Sequence, residues 1–255
     1  MAENIQLLRS ILKFVNTRSS KTIKLPDNFL KDRDNRISLR RIFEHDKYST
    51  LKKVIQKNSL DVTHIFDVGV RDGTPELYRS FAGKEFVLFD PMKQELPTNF
   101  VGISPNKYEY RNIGLGSEPG ELILNEQKGR SSFLQRTALT KSSKKLNCYT
   151  AKISTLDIEI SSLNCSSPLI GLKIDTEGYE LEVLKGLNNR IDSIAFIELE
   201  MSLKKRFVNS YSSAEIINHL YIKGFSIAGQ LNTFPGEMRN FVDLLVVNRN
   251  YFPDY

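Results

Sequence analysis

Residues 171–186 read GLKIDTEGYELEVLKG, and this stretch decides the fold. The apolar run Leu169–Ile174 predicts a buried strand, and the pattern from Glu177 to Lys185 predicts the helix after it. Asp175 and Glu177 then fall just past the carboxyl end of a strand, the edge where open α/β sheets bind ligands, and Gly178 permits close helix packing. A plainer account has Asp175 or Thr176 capping the helix while Glu177 and Glu180 favour its positive end. Two acids exceed what capping requires.

On either side of this stretch apolar strands alternate with helical patterns, the signature of a parallel sheet with helices on both faces. Strands are predicted at His64–Val68, Glu85–Phe89, Ile194–Leu199, Phe225–Ala228 and Phe241–Val247. Thr74 caps and Pro75 opens a helix that runs to about Ala82 and stops at Gly83. Tyr108–Leu115 and Glu121–Leu124 read as strands meeting at a Pro119-Gly120 turn, and Tyr149–Ile153 as a strand leading into a helix capped by Ser154. Ser212 and Glu215 form a capping box for a helix closed at Gly224. The expected architecture is a Rossmann-like α/β domain over residues 61–255, after an N-terminal helical and connector segment over 1–60. In that segment Ile5, Leu8, Leu12 and Val15 mark a basic amphipathic helix, 17–41 a connector broken by Pro26, and Leu51, Val54 and Ile55 a second helix.

With 255 residues, 40% of them hydrophobic, the chain can bury one substantial core. A net charge of +6 and a pI near 9.1 suit an anionic partner such as a phosphorylated substrate, and equally suit solubility, because the basic residues are scattered. Cys148 and Cys165 form neither a CxxC pair nor a cluster with histidine. No disulfide framework and no metal are expected, and a reducing cytoplasm is the simplest compartment. No apolar run approaches the ~20 residues of a membrane span.

After the first strand the chain reads DVGVRDGTPE, residues 67–76. Gly69 and Gly73 let the backbone turn tightly, and Asp67 ahead of them suits a ligand with a positively charged amino group better than a pyrophosphate. The GxGxxG dinucleotide pattern is missing, which disfavours a nicotinamide dehydrogenase. Asp90-Pro91 ends the second strand, where an acid accepts two hydrogen bonds from ribose hydroxyls in NAD and S-adenosylmethionine (SAM) sites alike.

Taken together, DVGVRDG at 67, LFDP at 88, GRSSF at 129, STLD at 154, KIDTEGYELEVLKG at 173 and IELE at 197 resemble, in order and spacing, the FkbM family of SAM-dependent methyltransferases. The resemblance implies a class I methyltransferase fold, a seven-stranded, mostly parallel sheet with a reversed final strand, and SAM as cofactor. It places Asp67, Gly69 and Gly73 along the methionine part, with Val70 and Arg71 in the same loop, Asp90 and Pro91 at the ribose, Asn112, Ile113 and Gly114 beside the adenine, and Asp175 within reach of the cofactor. It further implies methyl transfer to a hydroxyl of a glycan or small molecule. Arg71 and Asp72 depart from the small or amide residues commoner in the family.

Such a transfer requires an acceptor oxygen aligned with the methyl carbon and a group to take its proton. His45, His64 and His219 are poorly placed for that role, so Asp175 is the first candidate base and Glu177 the second; Lys173, inside the strand, could face either way. Two rivals remain. An RNA 2′-O-methyltransferase would use a Lys-Asp-Lys-Glu set, for which Asp175 and Glu198 supply acids but no paired lysines are in register, and no basic, aromatic-studded groove is evident, which disfavours nucleic acid. A non-catalytic nucleoside-binding module on the same fold is the other. Specificity is expected from the N-terminal segment and the loops near Ser131, Phe133 and Phe234; the sequence does not define an oligomeric state.

Overall fold

A computed structural model describes residues 48, 51–53, 55–92, 108–127, 130–138, 146–231 and 240–255. The chain divides into two compact units, residues 1–51 and 52–255. The N-terminal amphipathic helix, the connector, His45 and Phe234 lie outside the described residues.

Within the second unit the elements run β1 His64–Val68, α1 Pro75–Ser80, β2 Glu85–Phe89, β3 Tyr108–Arg111, β4 Gly114–Leu115, β5 Gly120–Gln127, β6 Arg130–Ser132, β7 Asn147–Ser154, α2 Leu156–Ser161, β8 Ile170–Ile174, α3 Glu180–Lys185, β9 Ile194–Ser202, α4 Ser213–Ile222, β10 Phe225–Gln230 and β11 Phe241–Asn248. The described residues form one seven-stranded sheet in the order β10-β11-β9-β8-β1-β2-β3. β3, β2, β1, β8 and β9 pair in parallel, whereas β11 runs antiparallel to both β9 and β10, so the sheet is mixed. The central strands β1 and β8 are buried almost throughout, which is why they read as unbroken apolar runs rather than alternating ones. Phe66, Leu172, Ile174, Val183, Ile197 and Val246, all fully buried, belong to one continuous core.

Several local expectations need correction. Residues 108–115 are two strands in two sheets, because the chain turns at Asn112: its side-chain amide donates to the carbonyls of Asp90 and Met92 at 2.8 and 2.7 Å, and Ile113 N–H folds back to the Arg111 carbonyl at 2.8 Å. β4 joins a separate four-stranded sheet, order β4-β7-β5-β6, in which β5 pairs with β7 and β6 rather than with the strand before it. Thr155, not Ser154, caps α2, its hydroxyl accepting from Ile158 N–H at 3.2 Å. Thr74 precedes α1 but caps nothing with its side chain, which is drawn to Asp67 instead. The helix after β8 begins at Glu180 rather than Glu177, since Glu177 and Gly178 take left-handed φ values of 52° and 99°. The Ser212–Glu215 capping box forms as expected.

Gly69 is imposed by the crossing of two strand ends. It sits at φ 84°, and a Cβ there would come within 1.9 Å of the Asp175 carbonyl oxygen. Gly83 has a similar φ of 92° but open space around it. Alanine at Gly83 should therefore cost only the left-handed strain, about 1–2 kcal/mol, while Gly69→Ala adds an overpacking cost of about 1–3 kcal/mol. Urea denaturation of both variants checks this, and equal losses would show that the Gly69 contact is relieved at no cost.

Candidate functional site

Asp67, Lys173 and Glu198 lie in register on β1, β8 and β9, so a lysine stands between two acids on one face of the sheet. Lys173 Nζ is 3.2 Å from Asp67 Oδ1 and 3.9 Å from Asp175 Oδ2. Asp67 Oδ2 accepts from the Tyr78 hydroxyl at 2.7 Å and from Thr74 Oγ1 at 3.0 Å. The fully buried Asp67 is thus tied to three donors of its own chain, two of them reaching back from α1 and its cap. Burial works against the Lys173 ammonium, yet Asp67, Asp175 and Glu198 together hold its pKa above the usual lysine value. Burial and Asp67 push the Tyr78 hydroxyl up as well, keeping it a proton donor.

Asp90 performs a related task one strand over. Its Oδ2 accepts from Arg71 N–H at 2.7 Å and its Oδ1 from Met92 N–H at 2.9 Å, so one carboxylate joins the loop after β1 to the turn after β2. Burial raises its pKa, and those two N–H donors oppose the rise. The unusual Arg71 contributes through its backbone, at φ 48°, while its side chain turns outward toward Asp72. Gly69 and Val70 N–H groups both donate to the Phe89 carbonyl, and Gly73 N–H closes the loop on the Val70 carbonyl. Pro91 follows Asp90 directly, and Asn112 locks the same turn. Ile113 leans on the core, and Gly114 lies under the Phe133 ring, which a Cβ would meet at 2.7 Å.

The loop after β8 is held by Glu180, whose Oε1 accepts from Thr176 and Gly178 N–H at 3.0 and 2.9 Å and whose Oε2 accepts from the Tyr211 hydroxyl at 2.7 Å. Glu177 projects into arginines: its Oε2 is 2.5 Å from Arg206 and 3.6 Å from Arg136, and its Oε1 is 3.8 Å from Arg130. Its carbonyl accepts from Ser132 Oγ at 2.8 Å, and the Phe133 and Tyr179 rings meet at 5.2 Å, which brings Ser132 and Phe133 onto the KIDTEG turn. A left-handed φ at a glutamate costs of order 1–3 kcal/mol and persists only where surroundings enforce it. Asp175 keeps 36% of its side chain exposed. Burial pushes its carboxyl up, Lys173 opposes the rise, and Glu177, Asp67 and Glu198 add to it.

The structure thus gathers Asp67, Gly69, Asp175 and Glu177 at neighbouring strand ends, with Asp90, Arg71 and Asn112 on the adjoining turn. Arg136, Arg206 and Glu200 were not anticipated from sequence. A signal existed in Arg206, six residues beyond Glu200 and beside Phe207, but LKKRF read as scattered charge. His64 sits at the opposite, amino-terminal end of β1, paired with Glu85 at 3.3 Å, and burial lowers its pKa as it lowers that of His219 in α4. Among the described residues no group of three His, Cys, Asp or Glu side chains could hold a metal ion.

A mixed sheet whose five parallel strands carry at their carboxyl edge a glycine turn, a buried acid after β2 and an acid after β8 has the layout of an α/β domain that binds ligands at that edge. The methyltransferase FkbM domain matches residues 67–243, and the chain belongs to that family. It is a SAM-dependent methyltransferase. Among solved structures it resembles magnesium protoporphyrin IX methyltransferase from Synechocystis PCC 6803 with bound SAM, at 13% identity over 94% of this chain and 96% of that one, TM-score 0.39. It also resembles EvdMO1, at 13% identity over 82% of this chain and 42% of that one, TM-score 0.41. No curated protein sequence matches it.

Glu200 supplies a pH test of this geometry. Burial, reinforced by Asp175 and Asp243, pushes its carboxyl from 4.5 to about 8 against the pull of Arg206. A raised acid contributes stability that is complete below its unfolded pKa and lost as pH rises through the folded one. The stability of wild type relative to Glu200→Gln should therefore fall as pH rises from about 5 to about 9. Denaturant titrations across that window check it, and a constant difference would contradict the raised carboxyl.

Proposed function

We propose that this chain moves the methyl group of SAM to a hydroxyl oxygen of a glycan or small molecule, on a class I methyltransferase fold spanning residues 61–255. The observation that carries the reading is Asp175: a part-exposed carboxyl with a raised pKa, at the edge where the loops after β1 and β8 meet. The residues there fit the cofactor's chemistry. Asp90 donates nothing and keeps acceptor capacity on both oxygens beyond its two N–H bonds, as a ribose diol requires. The carboxylates near Lys173 complement a positively charged sulfonium and α-ammonium. In this reading Gly69, Val70, Arg71 and Gly73 wrap the amino-acid end, and Pro91 and residues 112–114 border the base.

When bound, SAM supplies a methyl carbon on a positively charged sulfur that needs little further activation. Asp175 accepts the hydroxyl proton as the acceptor oxygen attacks the methyl carbon; its raised pKa makes it a stronger base than an ordinary carboxylate. Lys173, held as an ammonium, cannot serve as that base and instead fixes Asp175 from behind. Glu177, the second candidate, is engaged by three arginines, and we assign it to positioning rather than proton transfer. A cytoplasmic location is consistent with the free thiols Cys148 and Cys165, and no helix among the described residues is long and apolar enough to cross a membrane.

Asp175→Asn keeps the shape but cannot take a proton. It should bind S-adenosylhomocysteine within a few-fold of wild type while methyl transfer to the acceptor falls by roughly a hundredfold or more. Calorimetry and a radiolabelled-methyl assay measure the two quantities. Transfer at the wild-type rate would remove Asp175 from the role of base.

A further inference from the structure

Arg71 takes a left-handed backbone conformation, φ 48°, in the loop that follows β1. Glycine and asparagine adopt that conformation readily, whereas the Cβ of an arginine crowds its own backbone there. The surroundings enforce it. Arg71 N–H is held by Asp90 Oδ2 at 2.7 Å, Gly69 and Val70 N–H by the Phe89 carbonyl, and Gly73 N–H by the Val70 carbonyl at 2.7 Å. Each of these donors is a backbone N–H, which any residue but proline supplies at position 71. The Arg71 side chain is 49% exposed and pairs at 3.1 Å with Asp72, itself 80% exposed. An exposed ion pair of that kind adds little to the fold, and a ligand carboxylate can take the place of Asp72. Strain retained at such a position points to a functional demand on the side chain.

The neighbouring charges indicate which ligand group it serves. Asp67 and Asp90 are buried at the ends of β1 and β2, and Asp175 follows β8. These acids complement the sulfonium and α-ammonium of SAM, but they repel its α-carboxylate, so a cation has to stand beside that group. From Asp67 to Met92 the chain carries three, Arg71, Arg79 and Lys84. Arg79 is on α1, paired with Glu76 at 3.0 Å. Lys84, paired with Asp61 at 3.0 Å, precedes β2 and so lies at the opposite edge of the sheet. Lys173 is committed to Asp67 at 3.2 Å. Arg71 is left, two residues past Gly69 and joined through its backbone to Asp90, and its planar fork matches a carboxylate in two-point contact.

We propose that the Arg71 guanidinium binds the α-carboxylate of SAM in exchange for Asp72, and so selects a cofactor that carries the complete amino-acid tail. This rests on the reading of the loop after β1 as the seat of the cofactor's amino-acid end.

The test titrates the full chain with three ligands: S-adenosylhomocysteine, its decarboxylated analogue S-adenosyl-3-thiopropylamine, which keeps the amine and the adenosine, and 5′-methylthioadenosine. Wild type should bind S-adenosylhomocysteine about tenfold or more tighter than the decarboxylated analogue, the effect of one charge-assisted contact. Arg71→Asn relieves the left-handed strain, so its Tm should equal or exceed that of wild type. It should weaken S-adenosylhomocysteine by about the same tenfold while the analogue stays within about twofold. Arg71→Lys keeps the charge and should retain part of the preference. Equal binding of the two ligands by wild type, an undiminished preference in Arg71→Asn, or an equal loss for both ligands in that variant would each overturn the proposal. So would Arg71→Lys losing as much as Arg71→Asn. A wild type that binds neither S-adenosylhomocysteine nor 5′-methylthioadenosine would instead sink the methyltransferase reading.

Discussion

Lys173 stands near the middle of the sheet with Asp67 on one side and Glu198 on the other, and its ammonium reaches Asp67 at 3.2 Å. Taking such charges out of water costs several kcal/mol per ion, a cost recovered only when geometry and further hydrogen bonds are complete. Completion here comes from Tyr78 and Thr74, which satisfy the other oxygen of Asp67. The demands of one buried lysine therefore tie β1, β8 and the start of α1 together at the carboxyl edge. Once those strand ends are fixed, Gly69 must pass against the Asp175 carbonyl, and the loop after β8 has little freedom left.

The same device recurs in the surrounding motifs, in which a carboxylate collects backbone N–H groups to pin a turn. Asp90 joins the turns after β1 and β2, Glu180 holds residues 176–178, and Asp157 accepts from the N–H groups of Asn188, Asn189 and Arg190 at 3.1, 2.9 and 3.1 Å. Most motif acids are thus engaged in shaping backbone. Asp175 differs, with its side chain 36% exposed and its partner lysine no closer than 3.9 Å. That is why the proposed base is Asp175, and Glu177, which the arginines engage, follows in the same loop.

The central strands were legible because they are buried on both faces and hence continuous in apolar residues: β1 and β2 fall at the predicted limits, and β8 within one residue of them, whereas the sheet they belong to is mixed rather than mostly parallel. The second sheet was not, because the break at Asn112 depends on side-chain bonds to Asp90 and Met92, residues 22 and 20 positions away. The start of α3 was misread for a similar reason: Glu177 and Glu180 look like ordinary first-turn acids, but one goes to arginines distant in sequence and the other folds back onto its own loop. Pattern and propensity carry local and periodic information; the arginine cluster joins residues 130, 136, 177 and 206, and no local pattern encodes that meeting.

A structure of the chain with S-adenosylhomocysteine bound tests the account most directly. The account predicts both ribose hydroxyls on the Asp90 carboxylate and the sulfur facing Asp175, with an acceptor-sized space between that sulfur and the Asp175 carboxyl. A ribose seated away from Asp90, or a sulfur screened from Asp175 by protein, would contradict it.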